Sequence, residues 1–312
     1  MDDFGVFFST VFSTGLFNEM LRRATPVAIA AIGGALTMHA GIMNIGMDGM
    51  ILMGAFFGVL GSAKFGSAGA GLLLAVLVGI LVGLFFGLFV VKFKSDEFII
   101  GTALNTFAVG LTSFLSRSIF GTQGAKGYPS LPNVNIPGLD KIRILNEILN
   151  NHSLFVYLAW VLVLVFYFYI YRTPQGFWLR ASGEKPETLR TAGIAPERMK
   201  WTASILCGVL CCIAGAHLSL GYLNGTFAEK MSNSRGYIAF ACVIFAASNP
   251  AKAYLAALMF GFFDAIGLRL QAYISSDLTS IIPYAITIIM MTYVVVNEQK
   301  KHQKVHRIEA ES

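Results

Sequence analysis

Charged residues are scarce in this chain. Asp, Glu, Lys and Arg make up 13% of its 312 residues, whereas hydrophobic residues make up 55%. A soluble globular domain carries about 25% charged residues, so this composition argues against one. Apolar runs of about 20 residues recur along the length, and each is long enough to cross a bilayer core as a helix. The sequence therefore predicts an all-α polytopic membrane protein.

Several motifs of enzymes are also missing. The chain has no GxxxxGK[ST] phosphate loop, and its apolar runs hold no HExxH and no paired catalytic aspartates. No His or carboxylate lies in register with the four cysteines, which all fall inside apolar runs, so we expect neither a metal nor a cofactor. The net charge of +6 comes from basic residues between the apolar runs. We read it as a signal of membrane orientation and expect no nucleic acid partner.

The apolar runs predict nine membrane spans, at 24–39, 42–63, 68–92, 97–117, 153–172, 199–223, 235–249, 250–273 and 279–297. Before them, residues 1–23 form an N-terminal interfacial segment. Its apolar part, residues 4–17, is short and rich in Ser and Thr, so it either lies in the interface or spans thinly. After the predicted membrane core of residues 24–297, a basic tail covers 298–312.

Loop charge predicts the orientation. Lys and Arg concentrate in the segment 172–200 and again after residue 297, and both stretches are therefore expected in the cytoplasm of a multi-pass protein of the cell membrane. Four predicted spans separate the two stretches, so the assignments agree. The loop 118–152 then falls outside, together with Arg22 and Arg23, which fit the charge rule poorly.

A shift of 181 residues aligns similar small-residue patterns. It superposes Ile32 on Ile213, Gly34-Ala35 on Gly215-Ala216, and Ser95-Asp96 on Ser276-Asp277. Residues 24–117 would then repeat as 199–297 with an odd number of spans between the copies. Such units have opposite topology, so the pattern predicts an inverted repeat with a transport pathway between the halves.

The stretch GIMNIGMDGM, residues 41–50, places polar side chains and three glycines between two apolar runs. Irregular backbone at membrane depth occurs only where it is buried in protein or lines a watery cavity. Asn44 and Asp48 share a face if this part is helical. We assign Asn44 to the lining of a pathway. Asp48 either lines the pathway as well or caps or anchors a helix at the cytoplasmic side.

Two further polar residues in the apolar runs are pathway candidates. Asn105 lies in the middle of its predicted span, where the alternative is a hydrogen bond between helices. His39 ends the first predicted span, where the alternative is a hydrogen-bonded packing residue without a proton or substrate role.

The cytoplasmic segment 173–200 contains a short helix signal. Pro186 suits the first helical position, Glu187 suits the first turn, and Gly193 reads as the helix stop, followed by Ile194. The sequence predicts a short helix exposed to the cytoplasm. It serves either as a solvated connector or as the docking site for a cytoplasmic partner.

That segment resembles the coupling loop of permeases of ABC importers, with Glu187-Thr188-Leu189 and Gly193-Ile194 in the place of the EAA…G signature. Thr188 and Leu189 depart from the usual alanines. The wider resemblance rests on an ordered set of motifs, which are GGALTMHAGIMNIGMDGMILMGAF, KSDEFIIGTALN, RASGEKPETLRTAGI, AGAHLSLGYL and ASNPAKAYLAALMFGFFDAIGLRLQ. Together they are similar to the branched-chain amino acid, ribose and nucleoside permease family, and most of all to its simple-sugar and nucleoside subgroup.

The resemblance implies a permease subunit of an ABC importer, with ATP hydrolysed by a cytoplasmic ABC ATPase. It further implies a second permease, which is a homologue or a copy of this chain, and an extracytoplasmic substrate-binding lipoprotein. Glu184, Glu187, Gly193 and Ile194 would couple to the ATPase. The solute would be small and polar, a nucleoside or alternatively a simple sugar. The main competing hypothesis is a stand-alone ion-coupled transporter, and an intramembrane enzyme is the third.

Overall fold

The computed structural model describes residues 14–121, 124–135 and 143–271, together with residues 285 and 289. Eleven helices lie within this part of the chain: α1 Thr14–His39, α2 Met47–Phe65, α3 Ala68–Gly87, α4 Glu97–Phe120, α5 Arg143–Leu149, α6 Leu154–Arg172, α7 Pro174–Glu184, α8 Pro186–Thr191, α9 Pro196–Ala216, α10 Arg235–Phe245 and α11 Pro250–Leu270. Helices α3 and α9 each continue into a π-helical turn, Leu88–Lys92 and His217–Tyr222 respectively. Two short strands, β1 Asn133–Val134 and β2 His152–Ser153, pair antiparallel.

Among the described residues, six helices are long and apolar enough to cross a membrane. They are α2, α3, α4, α6, α9 and α11, with the π-helical turns counted as parts of α3 and α9. The prediction of a helical, multi-pass membrane protein is confirmed, whereas the count of nine spans is not. The predicted span 279–297 and the tail 298–312 lie outside the described residues.

Helix α1 differs from the predicted first span, because it starts at Thr14 and not at residue 24. In the structure the Arg23 side chain is only 12% exposed and forms ion pairs with Glu19, at 2.9 Å, and Asp264 of α11, at 2.7 Å. Arginine is a good helix former, and these carboxylates neutralise the guanidinium within the packed helices. Residues 1–13 of the predicted N-terminal segment lie outside the described residues.

Helix α10 is shorter than the predicted span 235–249. It ends at Phe245, and Ala247 and Ser248 then adopt left-handed conformations with φ of 46° and 63°. The next helix starts at Pro250, where the side chain of Asn249 accepts hydrogen bonds from the first free backbone N–H groups. This turn therefore separates α10 from α11 at the boundary between the predicted spans 235–249 and 250–273.

Glycines bring α2, α3 and α9 into backbone contact. A Cβ atom on Gly79 of α3 would lie 2.8 Å from the carbonyl oxygen of Gly208 in α9, and one on Gly61 of α2 would lie 2.9 Å from the Cα of Gly71 in α3. Gly54 of α2 packs in the same way on the backbone of α9. These three helices form the interlocked centre of the described fold, with α1 packed against α9 and α11.

Candidate functional site at the helix break

The chain is interrupted between α1 and α2. Residues 40–46 are not helical, and Gly41 has φ of +74°. The break begins with a Schellman motif, in which the Gly41 N–H donates to Met38 O at 3.0 Å and the Ile42 N–H donates to Thr37 O at 2.9 Å. Ile42 and Asn44 are each 1% exposed and Gly46 is buried, whereas Gly41 and Met43 are exposed. The irregular backbone of the break is therefore buried in part.

Asn44 lies within the break and not on helix α2, so it does not share a helix face with Asp48. Its side chain is 1% exposed. The Oδ1 atom accepts a hydrogen bond from the Gly46 N–H at 3.0 Å, and the Nδ2 group points to Cys207 Sγ at 3.3 Å. The amide therefore uses its polar atoms inside the protein and joins the break to α9.

Asp48, in the first turn of α2, accepts hydrogen bonds from another part of the chain. Its Oδ1 accepts from the Gly236 N–H and its Oδ2 accepts from Ser232 Oγ, both at 2.9 Å. Gly236 is the second residue of α10, and a Cβ atom there would collide with the Asp48 backbone. Asp48 thus ties the start of α2 to the start of α10 and does not cap its own helix.

Asn105 of α4 caps α2 from a neighbouring helix. Its Oδ1 accepts from the Gly49 N–H at 2.7 Å, which is one of the donors that the first turn of a helix leaves unpaired. Its Nδ2 donates to Ile45 O at 3.0 Å and to the Tyr237 hydroxyl at 2.9 Å. One side chain therefore holds the break, α2 and α10 together.

Five side chains form what we call the polar seam, where α2, α4 and α10 meet: Asn44, Asp48, Asn105, Ser232 and Tyr237. Glycines allow the close approach, since a Cβ atom on Gly101 would lie 2.8 Å from the Gly46 nitrogen. Sequence reasoning missed Ser232 and Tyr237. Both belong to a segment about 130 residues or more from their partners, and no local pattern marks them.

His39 is not part of the polar seam. Its ring meets Tyr171 of α6 edge-on, with 6.2 Å between the ring centroids. The guanidinium of Arg180, in α7, lies over the Tyr171 ring, 5.3 Å from its centroid. Among the described residues no hydrogen-bond partner is found for the buried His39 Nε2. The structure therefore brings His39 to the segment 173–200 and not to the other three pathway candidates.

The short helix predicted in the segment 173–200 is present as α8. Pro186 occupies its first position. Gly193, with φ of +77°, ends it in a second Schellman motif, in which the Gly193 N–H donates to Arg190 O at 3.0 Å and the Ile194 N–H donates to Leu189 O at 2.9 Å. Gly193 is exposed and Ile194 is half-buried.

The acidic candidates of this segment lie on the surface. Glu184 ends α7 and is exposed. Glu187 forms an ion pair with Arg190 at 3.0 Å, and Arg190 also contacts Glu197 at 2.7 Å. Exposed pairs of this kind contribute little to stability, about 0 to 1 kcal/mol. The surface of α8 is thus charged and accessible.

Helix α7, in the segment 173–200, contacts the helix break. A Cβ atom built on Gly183 would lie 2.7 Å from the Gly41 nitrogen and 3.0 Å from the carbonyl carbon of Ala40. No side chain separates the two backbones. Any displacement of α7 therefore acts directly on the segment that leads into the polar seam.

Helix α4 has an accessible face beside the seam. An open groove of about 740 Å³ runs along it and is lined by Val109, Gly110, Ser113, Phe114, Arg117, Ser118, Glu229 and Lys230. At one end of the groove Arg117 donates two hydrogen bonds to Glu229, at 2.7 and 3.1 Å. These bonds lower the pKa of Glu229, which lies in the loop before α10.

No cluster of three or more metal-ligating side chains occurs in the described part of the chain. The four cysteines are buried free thiols. What the site offers is a set of amide, carboxylate and hydroxyl groups that hold helices together, next to an accessible face.

Curated relatives are permease proteins of ABC transporters. The nucleoside permease protein NupC of Lactococcus lactis is 30% identical, over 88% of this chain and 90% of its own length. The guanosine permease protein NupQ of Bacillus subtilis is 29% identical, over 87% and 89%. TsgC13 of Haloferax volcanii, whose name assigns it provisionally to glucose transport, is 29% identical over 92% and 94%. Each organism also has a second, less similar permease protein, at 23% to 25% identity.

A family model gives the same assignment for most of the sequence. It matches residues 16–291, from the first turn of α1 to beyond α11, and includes the break, the polar seam and the cytoplasmic segment. The chain belongs to the family described as the permease component of the branched-chain amino acid transport system.

Proposed function

We propose that this permease subunit serves an ATP-driven importer of neutral nucleosides. The nucleoside assignment is supported by the names of NupC and NupQ. A simple sugar is the second candidate, because a relative of similar identity is named for glucose. A homologous second permease, a cytoplasmic ABC ATPase and an extracytoplasmic binding lipoprotein complete the transporter. The presence of two permease proteins in each of the three organisms supports a heterodimer.

The structural observation that supports coupling to an ATPase is the backbone contact between Gly183 and Gly41. The ATPase would dock on the exposed surface of α8, with Glu184, Glu187, Gly193 and Ile194 at or beside the contact. Its movement would pass through α7 to the helix break, and from there to the start of α2. In this proposal the coupling segment lies in the cytoplasm and the C-terminus is on the same side.

We further propose that the two halves of the permease form an inverted repeat. In sequence, a shift of 181 residues aligns the start of α1 with that of α9 and the start of α3 with that of α11. The shifted first residues are 195 and 249, each one residue before Pro196 and Pro250 respectively. Helix α10 would correspond to α2. The fourth pair would match α4 with residues outside the described part. The pathway would run between the two halves.

The polar candidates receive a revised role in this proposal. Asn44, Asp48 and Asn105 direct their polar atoms to protein partners, which supports a role in holding the walls of the pathway and not in contacting the solute. His39 would act beside the coupling segment. The solute itself would contact the accessible face of α4 and α10.

The test is to purify a tagged copy from its native cell in mild detergent and to identify the chains that accompany it by mass spectrometry. We expect an ABC ATPase and a second permease, and uptake of radiolabelled guanosine by the reconstituted complex in the presence of ATP. A chain that is stable alone would contradict the proposal.

The stand-alone ion-coupled transporter makes the opposite prediction. It requires a titrating carboxylate in the membrane, and Asp48 would have to give up two hydrogen bonds, to Ser232 and Gly236, in order to take that role. Uptake that stops with an uncoupler while ATP is maintained would favour the ion-coupled mechanism. We expect uptake to continue until ATP is depleted.

A further inference from the structure

The outward faces of three helices are those expected for contact with lipid. Helix α3 exposes Leu73, Leu77 and Leu81, with exposed fractions of 68%, 57% and 64%. Helix α6 exposes Val161 and Leu164, and α11 exposes Leu255 and Met259. Hydrocarbon tails favour such unbroken apolar surfaces.

The outward face of α4 has a different composition. Phe98, Ile99, Phe107 and Phe114 are exposed here as well. Between these apolar residues Ala103, Thr106 and Gly110 are exposed, and Thr102, Val109, Leu111 and Ser113 are half-buried. This face therefore combines large apolar side chains with three hydroxyl groups, which the exposed residues named above on the other three helices lack. A polar solute beside a protein partner can use these groups.

This face is also free of charge over most of its length. Between Glu97 at the start of α4 and Arg117 near its end, none of the residues is ionisable. At a rise of 1.5 Å per residue, that uncharged stretch extends about 28 Å along the helix. A phosphate or a carboxylate crossing here would meet no compensating side chain of α4, and an uncompensated charge at membrane depth is costly.

Tyr237 of α10 adds an oriented aromatic ring beside this face. It is 43% exposed, and Asn105 Nδ2 donates to its hydroxyl oxygen at 2.9 Å. Among the described residues no acceptor is found for the phenolic O–H, so the hydroxyl can still donate. The hydroxyl of Thr106, the neighbour of Asn105, donates to Thr102 O at 3.1 Å and keeps a free lone pair as acceptor.

We propose that Tyr237, together with Thr106 and Phe107, forms the surface that selects the solute, and that it accepts a neutral hydroxylated ring compound while excluding phosphorylated and zwitterionic ones. This inference rests on the proposed permease function. The aromatic rings pack on the face of the solute ring, and the Tyr237 O–H and the Thr106 oxygen bind its hydroxyl and amino groups. Asn105 is the positioning residue that fixes Tyr237.

The first experiment uses the purified transporter with its ATPase, second permease and binding lipoprotein, reconstituted in liposomes. Uptake of radiolabelled guanosine, glucose, GMP and isoleucine is measured with ATP. We expect uptake of guanosine or glucose and none of GMP or isoleucine. Uptake of GMP or isoleucine would overturn the inference. A complex that takes up neither guanosine nor glucose, although its ATPase activity responds to the lipoprotein, would overturn it as well. Failure of the complex to assemble would instead overturn the proposed function.

The second experiment uses the neutral solute that is taken up and compares variants of this chain only. Because the lipoprotein is a separate chain, its affinity is unchanged. Tyr237→Phe removes one hydrogen bond and should raise KM about threefold to tenfold with unchanged kcat. Tyr237→Ala should raise KM by about tenfold or more. Ile244→Ala, exposed on the same helix, is the matched control and should keep the wild-type KM.

These variants distinguish a role of Tyr237 in binding the solute from a purely structural role. If Tyr237 only held α10 in place, Tyr237→Ala would lower the yield of assembled complex or kcat and would leave KM unchanged, and this result would refute its role. Tyr237→Trp, which keeps a ring and an N–H donor, should recover most of the wild-type KM if the selecting surface is as described.

Discussion

Gly41 and Gly183 face each other with no side chain between their backbones. A Cβ atom on Gly41 would lie 2.9 Å from the Cα of Gly183. Gly41 needs its positive φ to end α1, whereas Gly183 lies in α7 next to its last residue. The two glycines therefore serve different purposes at one contact, which joins the segment 173–200 to the helix break.

Gly183→Ala is expected to uncouple ATP hydrolysis from uptake. Its Cβ atom would meet Gly41 N at 2.7 Å and would also collide with the carbonyl oxygen of His39. Backbone has to shift, and overpacking of this kind typically costs about 1 to 3 kcal/mol. We expect a higher ratio of ATP hydrolysed to solute imported, measured in liposomes.

Gly69→Ala provides the matched control for that variant. Gly69 lies in the first turn of α3, and the nearest atom to a Cβ there is Ser67 Oγ at 3.7 Å. Its coupling ratio should equal that of the wild type. An unchanged ratio in Gly183→Ala would contradict the role assigned to the contact with Gly41.

Gly193→Val is expected to abolish transport while leaving membrane insertion intact. A Cβ atom at this position meets nothing within 4 Å, so the effect is one of backbone strain at φ of +77°. A β-branched residue in this conformation costs about 1 to 2 kcal/mol or more, which is enough to distort the end of the short helix α8. Uptake and the amount of chain in the membrane fraction are both measured.

Gly193→Asn distinguishes conformation from side-chain bulk. Asparagine adopts left-handed backbone more readily than other residues with a Cβ atom. It should retain much of the transport activity. Equal loss in both variants would indicate that the absence of a side chain, and not the Schellman geometry, matters for docking.

Asn105→Leu is expected to lower the thermal stability of the complex. It would leave the Gly49 N–H and the Ile45 carbonyl without their side-chain partner, and each buried unsatisfied group costs about 1 to 3 kcal/mol. Thr112→Val on the same helix is the control, because the Thr112 hydroxyl bonds only to backbone of its own helix. Melting is followed by tryptophan fluorescence in detergent, and equal shifts in both variants would refute the special role of Asn105.

Asp264→Asn is expected to destabilise the protein, because it removes one of two carboxylates around the buried guanidinium of Arg23. Asp264 itself is 37% exposed and Glu19 remains in place, so we expect about 1 to 3 kcal/mol and not the 3 to 5 kcal/mol of a fully buried pair. The double variant Arg23→Met, Asp264→Leu should be more stable than Asp264→Asn. Additive losses in a double-mutant cycle would contradict the coupling.

Local chemistry was sufficient to predict the features that depend on neighbouring residues. A proline at the first position and a glycine after the last turn predicted α8, and Asn249-Pro250 marked the start of α11. The family also followed from ordered motifs and is confirmed. For the two helix boundaries the information lies within a few residues of the feature, whereas the family depends on motifs spread along the chain.

Features that depend on distant partners were not predictable in this way. Helix α1 begins before the predicted first span, and one of the two carboxylates that pair with Arg23, Asp264, is 241 residues away. The partners of Asp48 are 184 and 188 residues away, and no sequence pattern connects them. A polar residue in an apolar run can be predicted to have a hydrogen-bonding partner. Whether that partner is protein or solute depends on the fold.

The glycine contacts among α2, α3 and α9 restrict how the protein can move. Helices whose backbones touch cannot slide past each other, because a shift of one residue would drive a side chain into the neighbouring main chain. This trio must therefore tilt as a rigid block. We therefore expect any change of shape between inward and outward access to be absorbed outside this trio, and the break between α1 and α2 is one such place.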